Sequence, residues 1–400
     1  MSTSPLAAVE MAPRDPILGV TEAFVADTNP QKVNLGVGIY YDDNGKVPVL
    51  ECVQRVVKKM AETAQARAYL PIDGLPAYNK AVQELVFGTD SEVVKSGRAL
   101  TVQTLGGTGA LKVGGDFLRR LNPQSELWIS DPSWENHRAI FEYAGFKVNE
   151  YAYYDAATRG VNFDAMLAAL ERLPAGAVAV LHACCHNPTG ADLTPEQWEK
   201  VIAVVNRRGI MPFLDMAYQG FADGIEADAF AVRRFAAACP VVFVSTSFSK
   251  SLSLYGERVG ALSIVTQSKE EAARTLSQVK RVVRTNYSNP PTHGAQAVAS
   301  VLTTPELRAL WEQELGQMRD RIKLMRSQLV EQIRDRRSDF DFNFVVKQRG
   351  MFSYSGLSKA QVDKLRAKSI YAIDSGRICI AALNSKNIAA VAGAIAEVLV

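Results

Sequence analysis

Lys250 is the residue whose surroundings first suggest chemistry. It follows Val241 to Val244, a β-branched and aromatic run without alternation that reads as a fully buried strand. Ser245, Ser247 and Ser249 come next and are too small and polar to continue that strand. An ammonium is strongly hydrated, so a lysine just past a strand end either reaches a polar face or loses its water. A desolvated lysine has a depressed pKa and becomes a nucleophile. Further on, Arg258 stands in Tyr-Gly-Glu-Arg-Val-Gly between apolar neighbours. A partly buried guanidinium wants a bidentate anion, and phosphate suits it. Lysine plus phosphate-seeking arginine fits an aldehyde cofactor that carries a phosphate, pyridoxal 5'-phosphate. The competing reading is that Lys250 caps a helix end and Arg258 pairs with Glu257.

Other candidates stand where apolar runs stop. In TVQTLGGTG a β-branched stretch meets Gly106-Gly107-Thr108-Gly109 and then ALKVGGDFLRRL, which has helical spacing. Glycines at such a turn free the first helical N–H groups for an anion, which the helix dipole also favours. The alternative is a tight connection; with Arg258, the turn and the Thr108 hydroxyl become the second half of one phosphate site. Trp134 follows the short strand ELWIS and Asp131-Pro132, where its indole stacks on a planar ring or packs in the core. His137 is a hydrogen-bond partner behind the site or a surface residue. Asp215 ends the apolar run from Ile210 to Leu214. A carboxylate there meets a cation such as a protonated pyridine nitrogen, or begins a turn. Tyr218 follows closely.

Asn187 offers an amide just past the run from Ala177 to Leu181, in HACCHNPTG. His182, Cys184, Cys185 and His186 crowd that segment, but on an extended chain half would point away, so no metal is assigned. Gly36 and Gly38 interrupt the strand-like VNLGVGIYYDDNGKVPVL, which lets a ligand or backbone approach closely, or marks a bulge. Tyr69 has no partner by spacing and reads as a core tyrosine. Arg377 opens an apolar strand in SGRICI, as a carboxylate clamp or an edge-strand charge.

The elements that must position these residues are legible in the same way. Strands ending near 105, 130, 181, 214 and 246, separated by helical segments, describe an α/β domain with a mostly parallel sheet. Ligands bind such sheets at the carboxyl ends of strands, and the candidates around the lysine lie at those ends. Val53, Val56, Val57 and Met60 predict a helix running to about Gln65. Thr194, Pro195 and Gln197 predict a capped helix that Gly209 ends. A long helix starting at a Thr304-Pro305 cap carries apolar residues at three-and-four spacing from Leu307 to Ile333, enough to bridge two domains.

Four hundred residues, 48% of them hydrophobic, suit one large domain plus a smaller α+β one. The division expected is an arm over 1–14, a small domain from 15–46 and 311–400, and a large cofactor-binding domain over 47–310. A net charge of +3 spread over 45 basic and 42 acidic residues offers no track for a nucleic acid and favours small-molecule chemistry. Five cysteines without disulfide-like spacing fit a reducing compartment. No apolar run approaches membrane-spanning length and the N-terminus lacks a signal-peptide pattern, so a cytoplasmic protein is expected.

Assembled, these residues resemble the pyridoxal-phosphate aminotransferases of class I, fold type I, in the aspartate and aromatic amino acid branch. The resemblance covers nearly the whole chain, through VNLGVGIYYDDNGKVPVL, YLPIDGL, QTLGGTGALKVGGDFL, DPSWENH, CCHNPTGADLT, LDMAYQGF, SFSKSLSLYGERVGAL, RTNYSNPPTHGAQ, QRGMFSYSGL and SGRICIAAL. It implies a cofactor joined to Lys250, with its phosphate held by Gly107, Thr108, Ser247, Arg258 and Tyr69 of the partner subunit. Trp134 would stack on the ring, Asp215 pair with its nitrogen, and Asn187 and Tyr218 bind its oxygen. Arg377 would clamp the substrate α-carboxylate, assisted by Asn187, Trp134 and the backbone at Gly38. Arg284 of the partner subunit would meet a distal carboxylate, so a homodimer with shared sites is implied.

Within that branch, YLPIDGL, DPSWENH, SFSKSLSLYGERVG and QRGMFSYSGL resemble the aromatic members, and Ile39, Tyr41 and Val47 offer apolar surface to an aromatic ring. Thr108 and Asn289 resemble the aspartate members. The expectation is reversible transfer from tyrosine and phenylalanine, and aspartate, to 2-oxoglutarate; the alternative is an aspartate aminotransferase with minor aromatic activity. A lyase or decarboxylase could reuse Lys250, Asp215 and Arg258, whereas a binding module would have lost the lysine.

Overall fold

The expected strands form, and two more join them in one seven-stranded sheet in the computed structural model, which describes residues 4–13, 15, 17–63, 66 and 68–399. Across the sheet the order is Ala99–Leu105, Val259–Val265, Val242–Ser247, Met211–Met216, Val178–His182, Leu127–Asp131 and Val148–Ala152. Val259–Val265 runs antiparallel to both neighbours; the pairs beyond it are parallel. Both faces are covered, which explains strands without apolar–polar alternation. Val180, Phe213, Phe243 and Leu262 face one core, and Leu181, Leu214, Val244 and Ala261 face the other.

Helices and short strands complete the frame. Thr194 and Gln197 form the expected reciprocal cap of Pro195–Arg208, and Gly209 ends it in the left-handed conformation. Pro305–Arg336 buries Trp311, Leu315, Met318, Ile322, Met325, Leu329 and Ile333. Its Trp311 Nε1 donates to the Ser251 carbonyl at 2.7 Å, fastening the helix to the loop after Lys250. Val33–Asn34 pairs with Ile370–Tyr371, and Phe352–Tyr354 with Arg377–Cys379, so the beginning and end of the chain share one region.

Several expectations change. The strand at 242 continues through Ser247, because its hydroxyls find partners: Ser245 Oγ donates to Asp215 at 3.1 Å and Thr246 Oγ1 to the Ala261 carbonyl at 3.3 Å. Asp215 likewise lies inside its strand and does not begin a turn. The helix expected to about Gln65 is Glu51–Glu62, with Thr63 following; Gln65 lies outside the described residues, as do 1–3 and 14 of the expected arm. Only two residues of the glycine-containing segment after Lys32 are strand. RICIAAL is extended for three residues, Arg377–Cys379, before a tight turn of helix at Ile380–Ala382. Thr304 precedes the long helix, but its side chain makes no capping bond.

The two threonines give a direct contrast. Thr194→Ala, which removes a formed cap, should lower stability by about 1 kcal/mol, while Thr304→Ala should stay within about 0.5 kcal/mol. Denaturant midpoints of the two variants check this; equal losses would contradict the geometry.

Candidate active site

A cavity of about 230 Å³ opens at the carboxyl ends of the central strands. Asp215 forms its floor, with Ala217 and Tyr218 beyond the same strand end. The carboxylate is buried: His137 Nε2 lies 2.9 Å from Oδ2, and Ser245 donates to Oδ1 at 3.1 Å. A carboxylate only accepts, so His137 Nε2 is the donor, and Nδ1 lies 2.9 Å from the Ser133 hydroxyl. Burial alone would raise the Asp215 pKa. The hydrogen bonds from His137 and Ser245 outweigh it and hold the carboxyl below its ordinary value. The surface alternative for His137 is thereby excluded, since the ring is fully buried.

Lys250 lies past the end of the neighbouring strand, partly buried, with Nζ 4.8 Å from the Tyr218 ring centroid. Among the described residues its amine makes no ion pair. Burial, reinforced by Arg258 and opposed by Asp215, pulls its pKa down to about 8. Burial also raises the Tyr218 phenol, which stays protonated. Lys250 therefore caps no helix; it points an easily deprotonated amine into a cavity.

Arg258 has a left-handed backbone, φ 54°, that turns its guanidinium back toward Ser249 Oγ at 3.2 Å and the Tyr255 carbonyl at 3.0 Å. Its expected alternative partner, Glu257, instead pairs with His293 at 3.1 Å. The helix Gly106–Leu121 begins against that guanidinium and has no side-chain cap. Gly106 has φ +68°, and a Cβ there would sit 2.5 Å from Arg258 Nη2. Uncapped N–H groups, a helix dipole, Gly107, Thr108, Ser247 and a guanidinium converge on the same end of the cavity. That is an anion cradle.

Trp134, Asn187 and Gly38 also line the cavity. Asn187 sits in a turn held by a half-buried carboxylate, since Asp192 accepts the N–H groups of Cys185 at 2.7 Å and His186 at 2.8 Å. Asn187 Oδ1 in turn accepts from Arg377 Nη1 at 3.0 Å, while Arg377 Nη2 donates to the Gly36 carbonyl at 2.6 Å. Arg377 is buried, not an edge-strand charge, and the nearest carboxylate is Glu135 at 4.0 Å. Three sequence candidates do not line the cavity, and of these only Arg377 touches a lining residue, Asn187. Tyr69 is 92% exposed and no core residue, and Arg284 is exposed, donating to Ser288.

Sequence reasoning passed over two neighbours. His182 lines the cavity with both ring nitrogens unpartnered, and burial with the adjacent His137 drives its pKa to about 3, so it is neutral. It was weighed only as a metal ligand. Phe352, quoted within QRGMFSYSGL but given no role, has its ring centroid 4.3 Å from the Arg377 guanidinium carbon.

With this geometry in hand, the chain belongs to a known family: residues 30–395 match the aminotransferase class I and II model. It is 61% identical to the Pseudomonas aeruginosa aspartate aminotransferase over 98% of this chain and 99% of that one. Identity to the Escherichia coli aromatic-amino-acid aminotransferase is 51%, over 96% and 98%. The crystal structure of the Burkholderia pseudomallei aromatic-amino-acid aminotransferase, covalently bound to pyridoxal phosphate, superposes with a TM-score of 0.98 at 62% identity, covering both chains fully. The chain thus has the fold type I architecture and is an aminotransferase.

The amine at the centre makes a pH prediction. In cofactor-free protein, modification of Lys250 by a small amine-reactive reagent should rise with pH to a plateau around a midpoint near 8. Exposed lysines should still be rising at about pH 10. Peptide mass spectrometry of timed samples reads both, and a Lys250 midpoint matching the exposed lysines would contradict the site described.

Proposed function

We propose that this chain transfers the amino group of tyrosine and phenylalanine, and of aspartate, to 2-oxoglutarate by a ping-pong route that depends on pyridoxal phosphate. The observation that carries this reading is Lys250: an amine with its pKa pulled down to about 8 faces a buried carboxylate and an arginine-backed helix start across one small cavity. Those residues fit the cofactor. The cradle around Gly107, Thr108, Ser247 and Arg258 would take its phosphate, Asp215 its ring nitrogen, Trp134 a ring face, and Asn187 and Tyr218 the ring oxygen.

When bound, pyridoxal phosphate supplies an aldehyde that accepts the amino group and a ring that takes up electrons. Lys250 Nζ would anchor it, and the same amine is placed to carry the proton taken from the substrate Cα. A pKa near neutrality suits that duty, since the same amine must both take and return the proton. Asp215 stays ionised and would hold a proton on the ring nitrogen. Arg377, with Asn187, Trp134 and the backbone at Gly38, holds the α-carboxylate so that the Cα–H bond faces Lys250.

The preference for aromatic donors rests on Ile39, Tyr41 and Val47, which bring no charge to the entry segment. The second reading, an aspartate aminotransferase with minor aromatic activity, is favoured by the 61% identity to a relative of that name. Half-reactions decide between them. Cofactor absorbance of the purified holoenzyme should convert with phenylalanine and tyrosine at least as fast as with aspartate, and conversion by aspartate alone would establish the second reading. Ammonia or carbon dioxide release without an oxo acid would overturn both.

On the same reading the enzyme is a cytoplasmic homodimer with shared sites. Free, buried cysteines support the compartment. Supporting the dimer, Tyr69 stands exposed, Leu6, Val9 and Met11 project from the arm, and a groove of about 810 Å³ lies between the helices Glu51–Glu62 and His293–Thr303. The chain divides into an arm over 1–14, a small domain from 15–46 and 311–400, and a large domain over 47–310, a division supported by the pairing of Val33–Asn34 with Ile370–Tyr371. Complementation tests the sharing. Lys250→Ala and Arg284→Leu chains, each inactive with glutamate alone, should regain glutamate activity when co-refolded, because one site per mixed dimer is intact. No recovery would mean that Arg284 serves its own chain.

A further inference from the structure

Arg326 is a fully buried cation that touches nothing in the cavity, and it makes no ion pair among the described residues. A guanidinium in that position is costly unless its donors are satisfied. Burial pulls its pKa down to about 10, so it remains charged at neutral pH. Its donors go to the carbonyls of Val345 at 3.1 Å, Gly350 at 2.7 Å and Phe352 at 2.5 Å, and to the Ser353 hydroxyl. Every acceptor belongs to one stretch, 345–353, so the side chain fixes the path of that backbone.

The stretch carries Phe352, and the ring is wedged between parts of the site. Its centroid lies 4.3 Å from the Arg377 guanidinium carbon and 5.9 Å from the Tyr218 ring, nearly edge-on at 83°. Gly38 packs so close that an added Cβ would be 2.7 Å from Phe352 Cζ. Behind it, the Arg349 N–H donates to the Gly190 carbonyl at 2.7 Å, joining the stretch to the turn that presents Asn187. A displaced Phe352 would release Arg377 on one face while Asn187 still held it on the other.

We propose that Arg326 is a positioning residue for substrate carboxylates: by gathering the backbone of 345–353 it presses Phe352 against Arg377 and orients that guanidinium for the α-carboxylate. The inference rests on the reading of Arg377 as the carboxylate clamp. The role is specific, because a helix residue could anchor a strand with apolar packing alone, whereas a charged fork with four acceptors sets the strand's position and rotation together.

The test uses holoenzyme and 3-phenylpropanoate, a carboxylate with no amine to react, whose Kd is read from the cofactor absorbance. Arg326→Lys should weaken its binding about tenfold and raise KM for phenylalanine similarly, with kcat moving less than about threefold, as expected for a misplaced binding group. The absorbance of the unliganded holoenzyme should not change. Phe352→Leu should weaken binding in the same direction, and the Arg326→Lys/Phe352→Leu double variant should fall short of the product of the single effects, since both act along one route. Should Arg326→Lys fail to fold, Ser353→Ala, which removes one of four acceptors, should still weaken binding about twofold.

A lowered Tm with Kd unchanged in Arg326→Lys, or single effects that multiply fully in the double variant, would overturn the proposal. Arg377→Lys separates this from the underlying reading. If it loses carboxylate binding while Arg326→Lys does not, only the positioning role is wrong; if it binds normally, the clamp itself is wrong.

Discussion

A row of side chains across the middle of the sheet constrains everything around it. In the strand register His182 stands opposite Asp215, and Asp215 opposite Ser245. The three lie side by side at the ends of adjacent strands, and His137 completes the row from the helix Glu135–Tyr143. Leaving that carboxylate buried without partners would cost several kcal/mol, so pairing and register depend on each other. A slip of one residue in either pair would turn Asp215 and its neighbour to opposite faces. The apolar residues on both faces of these strands therefore hold a polar arrangement at their ends.

This division explains what could be read from the chain alone. Strand ends were legible because buried parallel strands write themselves as apolar runs, and a cap such as Thr194 to Gln197 is local in sequence. The reading of Ser245 and Ser247 as strand breakers failed because it priced each hydroxyl by itself, without the carboxylate and carbonyl that receive the hydroxyls of Ser245 and Thr246 across the sheet. Tyr69 was assigned to the core by residue type, yet nothing in its flanking sequence reports on exposure. Thr304 had the right identity and position for a cap but not the side-chain geometry. Arg326 was silent altogether, since its partners are mainly backbone atoms supplied by a segment distant in sequence.

The cations of the site show how one charge can be put to different uses by its surroundings. Arg258 meets an uncapped helix start, so two positive features converge and leave the cradle short of an anion. Arg377 has neutral oxygens from Asn187 and Gly36 and a carboxylate no nearer than 4.0 Å, so it too retains capacity for an anion. Lys250 makes no ion pair among the described residues, and its burial makes it give up its proton more readily. A ligand bearing a phosphate at one end and meeting a carboxylate at the other would satisfy both arginines while leaving the amine free to react.

Asp215 has capacity left on the cavity side. An ionised carboxylate offers about four lone-pair positions, and His137 and Ser245 occupy one on each oxygen. His182, beside it and neutral, adds no competing charge despite its unpartnered nitrogens. A carboxylate held ionised by donors on its protein side, yet unsaturated toward the cavity, favours a ligand that arrives with an N–H of its own, and favours it most when that nitrogen is protonated. The same hydrogen bonds that let the sheet keep Asp215 buried thereby select the charge state of what binds above it.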